Sequence, residues 1–404
     1  MHEDQPVLLN VDRAQRLMKR DGLDGLVASG LENCFYSSGL WNEGQEQYPY
    51  DEEAYVVMTW DKPAAGVMVV GVAFAGAAVE MCPQLRDVIP FGRNFRTVST
   101  AQSLTAGERR FAQLAIDAPT TPSAFDALVK SIDLSGLSEA TVGVDERGAN
   151  PNLLPQLAQR FPKMNIRPAF QLFREIRMVK TDEEIRRLVL ALHGTEQAIL
   201  AVGEAAAVGV TEKDMYRVAM AAMVEADCLP LWAAIRFGRN MALSLIPGST
   251  PLLKGDYIFF DVGCTYEGYR ADIGRIYAMG EPSDKLVKLY HASKEGQTRA
   301  FELLTPGRLV RDVFEGACER VREAGIPHYQ RRHIGHGIGI EWYDQPILIP
   351  ESTITIEAGM TLEVETPYYE VGFGGTMIED TVLVTDSGVK SYMTLGRELR
   401  VLQA

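Results

Sequence analysis

Six histidines and five cysteines are all that this 404-residue chain contains, and both scarcities narrow its chemistry. The cysteines, at 34, 82, 228, 264 and 318, are odd in number, scattered and without Cys-x-x-Cys spacing. They read as reduced thiols in a cytoplasm rather than a disulfide framework. No apolar run reaches the roughly 18 to 20 residues of a membrane span. The opening MHEDQPVLLNVDR has no basic stretch leading into an apolar one, so no signal peptide is expected. Positive charge is also short: 40 Lys and Arg against 54 Asp and Glu leave a net charge of −14. That balance excludes a nucleic-acid partner, whose phosphates demand a basic face. What remains, 46% hydrophobic and 23% charged residues, is an ordinary globular composition, at a length that favours two domains.

The order of patterns divides the chain. Residues 11–21 read as an amphipathic helix closed by Gly22, followed by a buried strand in LDGLVASG. Further strand-like runs, AYVVMTW, AAGVMVVGVAFAG and ATVGVD, alternate with helical patterns near 123–133 and 152–160, which predicts an α/β layer domain over 1–172. The second domain, 173–404, opens on FREIRMVKTD. Thr181 and Glu184 form a capping-box pattern ahead of a long helix that Gly209 ends, and a second capped helix follows. Two strand pairs come after, YIFFDVG with EGYRADIGRIYAM and TLEVETPYY with MIEDTVLVT, flanking helices at 283–304 and 309–324. Each pair carries one carboxylate on its outgoing strand and another on its return, at spacings of 11 (261 to 272) and 14 (365 to 379). This weak repeat suggests a pseudo-symmetric half-barrel, each half offering two carboxylates to a shared centre.

Those carboxylates are Asp261, Asp272, Glu365 and Glu379, and His336 in HIGHGIG joins them. Apolar or small residues flank each one, so the fold would carry each charge into a core. A buried carboxylate must take up a proton or gain a cation, and the same segments hold no matching number of Lys or Arg. Four oxygen donors and one imidazole suit a pair of divalent, oxygen-tolerant transition metals.

FFDVGCTYEGYRADIGR, GHGIG, VETP and IEDTVLVT resemble the metallopeptidases of the "pita-bread" fold: aminopeptidase P, prolidase and methionine aminopeptidase, with creatinase a metal-free relative. RLMKRDGLDGLVASGLENCFYSSGL and FREIRMVKTDEEI are similar to the same family's N-terminal domain and linker. The resemblance implies a creatinase-like α/β domain followed by an α+β catalytic domain. It implies that Asp261 and Asp272 bind one metal and His336 and Glu365 the other, with Asp272 and Glu379 bridging. The ions expected are two divalent ones, manganese, cobalt, iron or zinc, and the assembly a homodimer acting on a small molecule or dipeptide.

The chain also departs from those peptidases. Where they carry a substrate-contacting histidine ahead of the first Asp, Ser244 stands; where a second follows the metal histidine, Tyr343 stands. Met377 takes the place of aminopeptidase P's arginine before the last Glu, and Gly274 that of a threonine after the second Asp. Arg332 holds a further histidine's place, with His333 beside it. Replacements expected to take up catalysis are His333, Tyr343, Asp344 and Glu363, with a salt bridge to Arg270 or Arg275 as the plainer role for Glu363. Trp41 and the acidic-aromatic loop NEGQEQYPYDEE are a candidate substrate lid, and Cys264 is expected to pack. The function expected is a dinuclear metal-dependent hydrolase of an amide or related C–N bond, Xaa-Pro dipeptidase-like. The alternative is a non-peptidase of the same fold, a dimethylsulfoniopropionate-type lyase or an amidino or cyclic amide hydrolase. Against the lyase, Asp261-Val262-Gly263 lacks its Asp-x-Asp.

Overall fold

The computed structural model describes residues 7–93, 95–117 and 120–403. Contacts divide the chain into two compact units, 1–177 and 178–404. The division falls beyond the expected 172/173 because 173–177 continue the helix Phe170–Arg177, whose Arg177 is buried and donates to Asn33 Oδ1 at 2.7 Å.

The first unit is an α/β layer. Strands β1 (Gly25–Ala28), β2 (Tyr55–Thr59), β3 (Val67–Gly71), β4 (Asp87–Phe91), β5 (Thr141–Val144) and β6 (Asn165–Pro168) form one mixed sheet in the order β4-β3-β2-β1-β5-β6. Val27, Val57, Val69 and Val144 meet Leu128, Ile132 and Leu157 of two covering helices in one core. The apolar run 64–76 is strand only as far as Gly71, and Ala75 begins a helix. The expected lid loop contains a short helix, Glu43–Gln47, capped by the Asn42 side chain. Trp41 is tied to it by a 2.9 Å bond to Glu46, while Tyr48 and Tyr50 stand exposed.

The second unit is α+β. Its strands are β7 (Leu229–Phe237), β8 (Tyr257–Tyr266), β9 (Tyr269–Arg270), β10 (Ile273–Met279), β11 (Gly335–Gly337), β12 (Asp344–Ile347), β13 (Thr361–Glu365), β14 (Tyr368–Glu370), β15 (Gly374–Thr376), β16 (Glu379–Thr385), β17 (Gly388–Ser391) and β18 (Arg400–Leu402). The main sheet runs β12-β11-β13-β16-β10-β8-β7. The two return strands, β10 and β16, therefore lie side by side at its centre, with outgoing strands β8 and β13 outside them. That arrangement is the symmetry of the two hairpins.

Each hairpin has its own helix pair. Helices Asp182–Ala205 and Glu212–Glu225, both opened by complete capping boxes, pack on Phe260, Val262 and Cys264 of β8. Helices Asp284–Leu303 and Val310–Glu323 pack on Leu362, Val364, Val382 and Val384. Strand alternation sends the intervening residues to the opposite face. The acids emerge there.

Candidate metal centre

Register lines the acids up in rows. Asp261 lies opposite Gly274, Gly274 opposite Glu379, and Glu379 opposite Glu365. Two residues along, His336 is opposite Glu363 and Glu363 opposite Thr381. Asp272 precedes β10 on the same side as Gly274. Directly opposed residues of antiparallel strands share a face, so β8, β11, β13 and β16, with the residue entering β10, deliver five carboxylates and one imidazole to one surface. The parity that collects them removes one of the two partners expected for a Glu363 salt bridge. Arg275, one residue past Gly274, points to the other face, where it forms a buried pair with Asp380.

Five of the six groups are buried, Asp272, His336, Glu363, Glu365 and Glu379 being 6% exposed or less, while Asp261 is partly buried. Asp272, His336 and Glu379 each bring a ligand atom within 4.8 Å of the others. Among the described residues, Asp272 Oδ1, Glu363 Oε2 and Glu379 Oε2 are buried without a hydrogen-bond partner. Burial, and then mutual repulsion, hold the carboxyls of Asp272 and Glu379 well above the ordinary range. Burial likewise raises Glu363, against a hydrogen bond from Thr381. Asp261 is pushed up to about 7 by burial, opposed by the Trp232 indole, which donates to its Oδ1 at 2.7 Å. Glu365 is raised by burial despite Arg331, whose Nη2 is 3.2 Å from Oε1. Without a cation these acids retain protons; orphaned oxygens beside an imidazole are the donor set that a divalent ion fits.

The imidazole is arranged for the same purpose. Burial lowers His336 to about 4, so it is neutral. Its Nδ1 lies 2.9 Å from the Gly337 carbonyl, an acceptor that assigns the proton to Nδ1 and leaves the Nε2 lone pair for an ion. Tyr343, a residue 44% exposed, stacks on the ring at 3.9 Å between centroids and 25°. After burial, Glu365, Glu379, Asp272 and Asp261 together hold the Tyr343 phenol protonated. His333, lowered to about 4 first by burial, has Nδ1 3.2 Å from Glu365 Oε1. The same Nδ1 accepts from Gly335 N at 3.3 Å, so the neutral ring has no proton there to give Glu365.

Asp344 sits differently from what the sequence suggests. Its carboxylate faces Lys180 at 3.4 Å, both side chains 1% exposed. That is a buried ion pair, whose partner lies 164 residues away in sequence. Ser244 lies on an exposed turn, its Oγ accepting from Ile246 N at 3.1 Å. Arg332 is exposed, and it is Arg331 that turns inward. Cys264 packs in the helix–sheet core beside Thr195. The sequence reading missed Trp232, Trp342 and Arg331. Trp232 is two residues from Ala234, the residue opposite Asp261, so strand parity on β7 could have found it. Trp342 meets Trp232 edge-on at 5.9 Å and favours the ionised form of Asp272.

Known proteins share both halves. Residues 10–179 match the Creatinase/Prolidase N-terminal domain and residues 187–386 match Metallopeptidase family M24. The chain is 30% identical over 234 residues to the Xaa-Pro dipeptidase of Pyrococcus furiosus, covering 56% of this chain and 66% of that protein. It is 31% identical over 248 residues to a probable dipeptidase, PepE, of Mycobacterium bovis, covering 58% and 63%. These matches span just under two thirds of the relatives' own length. Among solved structures, the X-Pro aminopeptidase of Thermotoga maritima superposes with a TM-score of 0.77 at 22% identity, over 97% of this chain and all of that one. The N-terminal domain of the chickpea FACT subunit SPT16 superposes at 0.67 with 14% identity, over 98% of this chain and 100% of that one. The architecture is thus the pita-bread one, and with both of its domains matched in order the chain belongs to metallopeptidase family M24.

Proposed function

We propose that the chain is a dinuclear-metal-dependent hydrolase that cleaves an amide or related C–N bond in a dipeptide-like small molecule. The observation that carries this reading is the group of orphaned carboxylate oxygens gathered with a neutral imidazole on one sheet face. Asp261 and Asp272 would hold one ion, His336 and Glu365 the other, and Asp272 and Glu379 both. Manganese, cobalt, iron and zinc all suit such a set. When bound, the ions lower the pKa of water toward neutrality and polarise the carbonyl under attack. Relatives named as Xaa-Pro dipeptidases support a peptide-like substrate, and the lyase and amidino-hydrolase readings gain nothing from them.

The chain's own residues complete the chemistry. Tyr343 presents a protonated phenol at the rim of the acid cluster, placed to donate a hydrogen bond to the substrate's carbonyl oxygen. His333 stays neutral beside Glu365, its Nδ1 held by the Gly335 N–H. Glu363, fully buried and held by Thr381, supports Asp272 from within and does not touch the substrate. Asp344 is assigned to its pair with Lys180 instead of to proton transfer. The acids favour a substrate with a cationic amino group.

The working form we propose is a cytoplasmic homodimer. Exposed Leu229, Leu231, Leu245 and Ile246 are the kind of apolar set that a second copy covers. No helix among the described residues is long and apolar enough to cross a membrane. Metal analysis of the purified protein, followed by assays on Gly-Pro, Ala-Pro and a panel of small zwitterions, tests the function. Proline release with about two bound ions supports it; a protein that binds no divalent ion overturns it.

A further inference from the structure

The acid cluster draws one cation toward itself from a segment outside the ligand strands. Arg331 lies five residues before His336, and its side chain is 19% exposed. Nη2 donates to Glu365 Oε1 at 3.2 Å, and Nε donates to the His333 carbonyl at 3.4 Å. The guanidinium also lies 5.7 Å from the centroid of the Tyr369 ring, which itself packs edge-on against Phe259. Fixing a long arginine costs rotamer entropy, and a carboxylate, a carbonyl and an aromatic face together offset that cost. Such a clamp fixes direction as well as charge. Both contacts to Glu365, from Arg331 and from His333 Nδ1, fall on the same oxygen, Oε1. Two buried cations are differently engaged: Arg275 pairs with Asp380 on the far face and Lys180 with Asp344.

We propose that Arg331 is a positioning residue for Glu365: it takes up Oε1, sets the rotation of the carboxylate, and leaves Oε2 directed at the ion. The proposal rests on the dinuclear reading above, and it explains how a site can use a carboxylate on β13 that stands at the edge of its row. A partner that orients a ligand from behind typically accounts for about 10- to 100-fold in metal affinity. Its guanidinium does not meet the substrate, so its loss should alter the ion first and turnover through it.

The test uses the full-length protein stripped of metal and titrated with cobalt(II), with binding and the visible absorption of the bound ion followed together. Wild type should take up two ions. Arg331→Met should bind one of them about 10- to 100-fold more weakly and show an altered cobalt spectrum, while its metal-free melting temperature stays near wild type. Arg331→Lys, which retains one donor and the charge, should recover part of both losses. Unchanged affinity and spectrum in Arg331→Met, with wild type binding two ions, would overturn the role of Arg331 alone. A wild type that binds no cobalt overturns the dinuclear reading and this proposal with it. Should Arg331→Met fail to fold, Arg331→Lys and Arg331→Gln carry the same comparison.

Discussion

The side chain of Met377 fills the space that a Cβ on Gly274 would need. A Cβ built there would lie 2.6 Å from Met377 Cγ, 2.7 Å from its Cε and 2.9 Å from Glu379 Cβ. Both positions depart from the pattern of the peptidases that the chain resembles, and packing makes the two departures one. With no side chain at 274, a buried methionine can lie across the middle of the row between Asp261 and Glu379. The row is therefore apolar at the two positions where the resembled peptidases carry an arginine and a threonine.

Gly274→Ala should therefore be destabilising by about 1–3 kcal/mol through overpacking, and Met377→Ala by about 2–5 kcal/mol through the cavity it opens. Combined, the two should cost less than their sum, because the added methyl finds room where the methionine was. Urea denaturation of the four proteins measures the coupling. A coupling below about 0.5 kcal/mol would show that the contact is slack.

The ligand set makes opposite predictions for the metal-free and metal-loaded protein. Glu379→Gln and Asp272→Asn each remove a buried, poorly compensated acid, so in chelator they should melt at or above wild type. Added manganese should raise the melting temperature of wild type, since it binds the folded state alone, and leave the variants nearly unmoved. Asp261→Ala, His336→Ala and Glu365→Ala should likewise lose turnover and metal. Full occupancy and wild-type rate in any one of them would remove that residue from the ligand set.

Parity explains how much of this was readable beforehand. Once YIFFDVG and IEDTVLVT are taken as strands, the face carrying Asp261 and Glu379 follows from alternation, and so does the burial of Phe260 and Val382 on the other. The helix starts at Thr181 and Thr211 were equally legible, because a capping box is a local pattern. Partners from distant segments were not. Lys180 meets Asp344 across 164 residues and Arg331 meets Glu365 across 34; neither spacing has a period that a sequence could display. The expectation for Asp344 was formed without its cation in view. The contact division falls five residues past the expected boundary for a related reason, since Arg177 is tied down by a residue far back in the chain.

Glu184 supplies a pH test remote from the acid cluster. Burial raises its carboxyl to about 7, with Lys180 and hydrogen bonds from Thr181 and Tyr269 opposing. The ordinary value is 4.5, so the folded state holds a proton that the unfolded state has released. Its contribution is fully present below about pH 4.5 and is lost as pH rises through about 7. Glu184→Gln should remove that dependence. Melting temperatures at intervals from pH 4.5 to 7.5 should show the variant gaining on wild type as pH rises; a constant difference would mean that Glu184 does not titrate there.

Tyr343→Phe separates the phenol from the ring. Phenylalanine keeps the stack on His336 and so should preserve metal content and melting temperature. It loses the O–H placed to meet the substrate's carbonyl oxygen. If that donor acts in the transition state, kcat should fall on the order of 100- to 1000-fold with little change in KM. Equal kcat in the two proteins would reduce Tyr343 to a packing residue.

The last prediction concerns how well an Xaa-Pro dipeptide is turned over. The expected peptide-binding donors are absent: Ser244 lies on an exposed turn with its hydroxyl engaged by Ile246, and Met377 is buried and apolar. Tyr343 stands at the rim with its phenol protonated. One neutral phenol in place of two imidazoles and a guanidinium should hold a developing oxyanion less well, so kcat/KM on Ala-Pro is expected to fall below about 10⁴ M⁻¹s⁻¹, the lower end for cognate substrates. The acids around the centre should instead favour small substrates with a cationic amino group over acylated ones. Tyr343→His, which returns an imidazole to the rim, should then raise kcat on Ala-Pro without changing metal content. Steady-state kinetics on Ala-Pro and on its N-acetyl form, for wild type and Tyr343→His, decide the matter. A wild-type value above about 10⁴ M⁻¹s⁻¹, unimproved by the histidine, would show that other groups supply the missing donors.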